Sequence, residues 1–383
     1  MIKIVTIIGA RPQIIKAAAL SRTIREHFAT DIHEIIVHTG QHYDHNMSEV
    51  FINELSVPKP NYNLNIGSSS HGTQTASMIK GIEEILLLEK PQWCVLFGDT
   101  NSTLAGAVAA AKINVPIAHI EAGLRSFDKT MPEELNRIAC DHFSTVLFIP
   151  TLTANENLKN EGFCLDNTKP FSINNPAVVH SGDVMYDNTM FFTKVANEKS
   201  EILKKLNLVP NEYALCTIHR PHNTDNSSRL TNILNAIIEI AESTNLQIVL
   251  PLHPRTSHIL KQSNNQKLSE KLHNTPSLHI IDPVSFIDIT ALEASSKIIL
   301  TDSGGVQKEA YFMKKPCVIL RNETEWVEII EHKTGSLADA DPQKIKEQAL
   351  HFLQSPPSEF PALFGDGKAA TNICNWLIQN TEK

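Results

Sequence analysis

Short runs of β-branched and other apolar residues recur along all 383 residues, each apolar on both faces and most of them followed by a helix-length segment. A strand buried on both faces belongs inside a parallel sheet, because each crossover between parallel strands lays a helix over one face or the other. Residues 3–8, 34–37, 93–97, 116–120 and 145–149 are expected as strands, with helices over 14–28, 73–89, 102–113 and 132–140. The same grammar returns with strands at 213–217, 247–250, 278–281, 297–300 and 317–320, helices at 228–243, 286–295 and 306–313, and a final helix over 369–381. A chain of this length exceeds one ordinary core. The expectation is therefore α/β, with two doubly wound, Rossmann-like domains facing a cleft and a hinge near 182–186.

Charge and cysteine usage narrow the function classes. Forty-two acidic residues against 34 basic ones give a net charge of −8, which opposes a general nucleic-acid binder. No apolar run approaches the roughly 20 residues that span a bilayer. The first apolar run alternates like a strand and ends in Gly9-Ala10-Arg11-Pro12, without the small-residue cleavage site of a signal peptide. The six cysteines are far apart, with no CxxC and no Cys/His cluster. They read as buried free thiols in a reducing compartment, neither a disulfide frame nor a zinc site. A soluble cytoplasmic protein is expected, with no metal or cofactor and no nucleic-acid or membrane partner.

In doubly wound sheets, ligands sit at the carboxyl ends of the strands. After the first strand, Gly9 allows a tight turn, and Arg11 and Lys16 lie about one turn apart at a helix start, which suits an anion as well as it suits plain capping. The run is neither a Walker A loop nor GxGxxG. Asp99 follows the 93–97 strand, Glu121 follows the 116–120 strand, and Glu133 and Glu134 open the helix at Pro132. Each has an ordinary use as a cap or as a partner of the helix dipole. Three carboxylate loops at one sheet edge also make acid/base pairs, because crowded carboxylates raise one another's pKa. In the second half, His219-Arg220 and His253-Pro254-Arg255 follow strands and favour a phosphate pocket. Ser303-Gly304-Gly305 at a helix start lets backbone N–H groups approach phosphate, and Glu309 one turn on is placed to accept from a ribose diol.

The motifs GARPQIIK, HTGQHYD, GDTNSTLAGA, HIEAGLRS, MPEELNRI, GDVMYD, TIHRPHN, DSGGVQKE and RNETEWVE stand in this order. Together they resemble the non-hydrolysing UDP-N-acetylglucosamine 2-epimerase family. The resemblance implies a fold of the GT-B glycosyltransferase type that closes over UDP held by the C-terminal domain. It also implies that the last helix, 366–383, crosses back to join 1–182, leaving 183–365 as the UDP-binding domain, and that the chain is a homodimer. By the same resemblance Arg11 and Lys16 match diphosphate- and substrate-binding positions, and Asp99, Glu121, Glu133 and His219 match the essential catalytic residues. Ser303, Gly304 and Gly305 match the phosphate-binding turn, and Glu309 matches the ribose-binding acid.

The implied chemistry is a C2 epimerisation by elimination of UDP to a 2-acetamidoglucal and its re-addition. That reaction needs cations and backbone donors for the departing UDP, and carboxylates on both faces of C2. Several stretches depart from the plain UDP-N-acetylglucosamine pattern. Gln13 stands for an acid, Tyr43 falls in the stretch of the family's allosteric site, and Trp326 stands where many relatives carry arginine. This pattern looks more like the branch acting on UDP-2,3-diacetamido-2,3-dideoxy-glucuronate, whose negative charge a neutral Gln13 would not repel. A GT-B glycosyltransferase and a hydrolysing 2-epimerase are the rival readings. A non-catalytic sugar-nucleotide sensor is a third.

Overall fold

The computed structural model describes residues 1–40, 58–252, 254–260 and 266–381. Tyr43 and His253, both singled out above, lie outside the described residues, and Arg255 belongs to the helix Pro254–Leu260. The chain divides into two compact units, one of residues 1–188 with 362–383 and one of residues 189–361. The division falls within the helix Val184–Lys199.

The first unit holds β1 (Ile2–Ile8), β2 (Ile32–His38), β3 (Tyr62–Asn63), β4 (Trp93–Phe97), β5 (Ile117–Ile120), β6 (Val146–Ile149) and β7 (Ala177–His180). They form one parallel sheet in the order β3-β2-β1-β4-β5-β6-β7. The order reverses between β1 and β4, so the crossovers on either side of that pair leave in opposite directions and open a crevice at the strand ends. The helix Ala369–Gln379 belongs to this unit. Its Trp376 meets the rings of Trp93 and Phe148 edge-on at 5.7 and 5.5 Å, and the Trp93 indole donates to Thr381 Oγ1 at 2.7 Å.

The second unit holds β8 (Tyr213–Thr217), β9 (Gln247–Pro251), β10 (Leu278–Ile281), β11 (Ile298–Thr301), β12 (Cys317–Ile319) and β13 (Gly335–Leu337). The parallel order is β10-β9-β8-β11-β12-β13, with its reversal between β8 and β11. Alternation along the strands fills both faces. Ala214, Cys216, Leu300 and Val318 enter one apolar cluster, while Tyr213, Leu215, Ile299 and Ile319 enter another. Burial on both sides is the reason these strands read as unbroken apolar runs.

The pattern missed the edge strands β3, β7 and β13, which are only two to four residues long. It also missed the polar helix Leu152–Asn160. Several helices begin earlier than expected, among them those at Arg11 and at Gly304, where Pro12 suits a first turn and the Ser303 hydroxyl accepts from Val306 N at 3.4 Å. Five cysteines are buried free thiols; Cys164, expected to be buried, is exposed in a polar loop. Among the described residues no helix is long and apolar enough to cross a membrane.

Candidate active site

Both sheet reversals carry residues that the sequence had singled out. In the first unit, β1 ends at Gly9. A Cβ there would fall 2.1 Å from Ser102 Oγ and 2.2 Å from Thr39 Oγ1, so the residue must be glycine for close approach, not for a left-handed turn. The helix Arg11–His27 then starts with an exposed Arg11 at its first position. Gln13 is buried with all its hydrogen-bonding capacity in use. Its carbonyl accepts from Gly9 N and Ala10 N at 2.9 and 3.1 Å, and its amide donates to Phe97 O and Thr103 Oγ1 at 3.1 and 3.0 Å. Gln13 thus ties β1 to β4, and the expectation that it faces an acidic sugar is not met.

One turn further on, Lys16 Nζ pairs with the Glu121 carboxylate, both side chains largely buried. Gly98, left-handed at φ +63, leaves the space that the pair occupies. Glu121 is itself left-handed at φ +70, an uncommon conformation for a residue with a side chain that clusters at functional sites. Its loop is held by Glu121 N and Ala122 N, which both donate to Phe148 O at 3.1 Å. On the neighbouring loop Asp99 pairs with the Arg137 guanidinium, and Asn136 Nδ2 donates to Asp99 O at 3.0 Å. Arg137 also pairs with Glu134. Of the two adjacent acids, Glu134 is buried and accepts from Ser126 N and Phe127 N at 3.0 and 2.9 Å, which makes it a loop clamp. Glu133 is exposed on the first turn of Pro132–Phe143.

Beneath these loops lies a charged group that sequence reasoning passed over. His119, fully buried on β5, places Nδ1 2.7 Å from Asp141 Oδ1 and donates from Nε2 to Gly98 O at 2.8 Å. Asp141 Oδ2 accepts from Gly123 N at 3.1 Å and pairs with Arg125 at 2.8 Å. Burial works against charge on His119, but Cys140 and Asp141 outweigh it and hold the imidazole up at about 10. A polar residue inside an apolar strand was the available signal.

In the second unit the reversal joins His219, after β8, to Asp302, after β11. Asp302 is buried and accepts from His219 N at 3.1 Å, Arg220 N at 3.0 Å and Asn223 Nδ2 at 3.1 Å. His219 Nδ1 lies 3.3 Å from Asp302 Oδ1, while the imidazole stays 43% exposed. A carboxylate in that position favours the tautomer with hydrogen on Nδ1. Ser303 caps the helix Gly304–Phe312, with Gly305 exposed at its first turn. A Cβ on Gly304 would lie 3.5 Å from both Arg220 Nη2 and Glu325 Oε2 and 3.8 Å from Arg321 Nη1, and Arg321 pairs with Glu325 at 2.9 Å, so two guanidinium groups and one carboxylate rim the helix start. Backbone N–H groups of a helix's first turn beside a guanidinium would suit an anion here. Trp326 is buried behind it. Its indole donates to Gly304 O at 3.0 Å, and Lys308 Nζ sits 4.1 Å from the ring centre. Trp326 therefore braces the turn instead of projecting toward a ligand. Glu309 lies beside the buried Glu293. Burial lifts the Glu309 carboxyl above the usual range against the pull of Lys308, and burial and then Glu309 push Glu293 well up. Among the described residues no group of three His, Cys, Asp or Glu side chains could hold a metal ion.

The model of the family described as UDP-N-acetylglucosamine 2-epimerase matches residues 25–378. The chain belongs to this family. It is 50% identical over 98% of its length, and 99% of the relative's, to a UDP-N-acetylglucosamine 2-epimerase homolog of Methanococcus maripaludis. It is 45% identical, over the same shares, to the UDP-2,3-diacetamido-2,3-dideoxy-D-glucuronate 2-epimerase of Pseudomonas aeruginosa. Among solved structures, that of Methanocaldococcus jannaschii UDP-GlcNAc 2-epimerase in complex with UDP-GlcNAc and UDP is 40% identical, with a TM-score of 0.80 covering 98% of this chain and 99% of that one. Two Rossmann-like units of this kind place this member of the 2-epimerase family in the GT-B class of folds.

Proposed function

We propose that the chain is a non-hydrolysing epimerase that inverts C2 of a UDP-2-acetamido sugar. The observation that carries this reading is family membership over almost the whole chain, joined to a Lys16–Glu121 pair and an anion-binding helix start at the sheet reversals. In the proposed reaction the C1–O bond to UDP breaks, with the electron pair leaving on the phosphate oxygen. The C2 proton passes to a carboxylate, and a C1=C2 double bond forms. Return of a proton to the opposite face of C2 and attack of the UDP oxygen on C1 complete the inversion, so no redox partner is consumed.

Arg11, Lys16, Arg220, His219 and the Ser303–Gly305 turn are the groups suited to the charge that develops on departing UDP. Glu309 is assigned to the ribose. Asp99, Glu121 and Glu133 are the carboxylates for C2, and the face served by each is left open. Glu121, paired with Lys16, is assigned among the carboxylates that exchange the C2 proton.

For the substrate, the motif pattern and the Pseudomonas relative at 45% identity support UDP-2,3-diacetamido-2,3-dideoxy-glucuronate, and the relatives at 50% and 41% that carry the UDP-N-acetylglucosamine name support UDP-N-acetylglucosamine. A cytoplasmic homodimer that supplies precursors of O-antigen or capsule completes the proposal, on the strength of the family resemblance and the buried thiols. Proton NMR of each UDP-sugar with the enzyme in D₂O tests it. Deuterium at C2, with the manno-type isomer still attached to UDP, is the expected result, and the faster substrate names the branch. UDP release that depends on an acceptor would instead favour a glycosyltransferase, and free sugar would favour a hydrolysing enzyme.

A further inference from the structure

We infer that His119 and Asp141 form a buried charged positioning pair that sets both loops from which Asp99 and Glu121 project. The inference rests on the reaction assigned above for the importance of those two carboxylates; the pair itself does not depend on it.

A carbonyl oxygen only accepts, so the 2.8 Å contact with Gly98 O requires hydrogen on His119 Nε2. The 2.7 Å contact between Nδ1 and Asp141 Oδ1 holds a second hydrogen, since Asp141 is kept ionised by the Arg125 guanidinium and the Gly123 N–H on its other oxygen. The ring is therefore an imidazolium. Arg125 continues to Glu161 at 2.7 and 2.6 Å, so the two cations are matched by two carboxylates, and Cys140 is the other titratable side chain close to the ring.

Each partner reaches a different loop. His119 fixes the carbonyl of Gly98, the residue before Asp99, and Asp141 fixes the N–H of Gly123, two residues after Glu121. All three backbone positions concerned are left-handed, Gly98 at φ +63, Glu121 at +70 and Gly123 at +75. The glycines adopt it freely, but at Glu121, which bears a side chain, such a backbone persists where its surroundings over-determine it. A buried ion pair is a poor source of net stability, because desolvation offsets the attraction. Its geometry is what an apolar pair of the same volume would not supply, and the Lys16–Glu121 pair sits in the space over Gly98 that this geometry defines.

Three variants separate the parts. His119→Asn keeps a donor toward Asp141 and loses the bond to Gly98 O; His119→Gln does the reverse; Asp141→Asn keeps the shape and removes the charge. With the C2-exchange assay, kcat should fall roughly 10- to 100-fold in His119→Asn and Asp141→Asn, while UDP affinity, read by calorimetry, stays within about twofold. His119→Gln should recover a large part of the His119→Asn loss. Unchanged kcat in folded His119→Asn and Asp141→Asn, or UDP affinity that falls in step with kcat, overturns the inference. A measurement that needs no variant is the ¹⁵N spectrum of the wild-type histidine rings. His119 should show both ring nitrogens protonated up to about pH 9, and a neutral ring at pH 7 overturns the charged pair. Should the wild type show no C2 exchange with either UDP-sugar, the assigned reaction fails, and the ring spectrum still decides the state of the pair.

Discussion

The Lys16 ammonium and the Glu121 carboxylate meet over the Cα of Gly98: a Cβ at that residue would stand 3.1 Å from Lys16 Nζ and 3.4 Å from Glu121 Oε2. Gly98 also sits at φ +63. Gly98→Ala therefore combines crowding with a left-handed alanine, a backbone cost of about 1–2 kcal/mol. The expected outcome is a lower melting temperature and slower C2 exchange. A variant with wild-type melting and turnover would mean that the pair tolerates displacement.

Glu121 bears its charge beside a lysine, and the loop that holds it is fixed by backbone hydrogen bonds. Glu121→Gln removes the charge opposite the largely buried Lys16, so the melting temperature should fall while the fold is kept, and C2 exchange should drop by about 10²- to 10⁴-fold, the usual worth of a positioned base. The comparison of melting curves with NMR exchange rates checks both halves at once.

Trp326 offers a test of the phosphate turn. Trp326→Phe keeps an aromatic ring near Lys308 and loses the indole bond to Gly304 O. One hydrogen bond of this kind is worth about 0.5–1.5 kcal/mol, so UDP affinity measured by calorimetry should fall roughly 2- to 13-fold. No change would show that the turn is held without the indole.

Gln13 is spent on Gly9, Ala10, Phe97 and Thr103. Gln13→Glu loses the amide donors and should lower stability by about 1–3 kcal/mol. The ratio of rates on the uronate and on UDP-N-acetylglucosamine should hold within about twofold, since a closed side chain has no differential contact with the sugar. A large change in that ratio would restore Gln13 as a determinant of specificity.

Asp187 links pH to stability within the first unit. It accepts from Ala369 N and Ala370 N at 3.0 and 2.8 Å, capping the last helix. Burial nonetheless lifts its carboxyl from 3.8 to about 6, with those N–H bonds opposing and Asp183 adding to the rise. Between those values the native state binds more proton than the unfolded chain, so unfolding free energy falls as pH rises through the window. Urea unfolding at several pH values across it should include that contribution, and Asp187→Asn should make the slope shallower by about one proton's worth. An identical slope in the variant would assign it elsewhere.

The strands were legible because those buried on both faces have no polar phase to blur them; β4 and β8 occupy the residues expected for them. The motif residues were legible for a related reason: each follows a strand, where a parallel sheet puts its ligands. The short edges β3, β7 and β13 were not, since a few residues with one neighbour need little apolar surface. The roles of Gln13 and Trp326 were misjudged from sequence because residue type does not tell whether an amide or an indole turns inward.

The sequence by itself determined two parallel α/β units and the loops that carry Arg11, Lys16, Asp99, Glu121, His219 and Ser303, because periodicity and chain order are local properties. Only the tertiary structure decided that Lys16 meets Glu121, that Asp302 holds His219, that Glu134 is a clamp while Glu133 is exposed, and that His119 and Asp141 tie two loops together. Those pairings join residues up to 105 positions apart, and a charge finds its partner by distance in space, which sequence spacing does not encode.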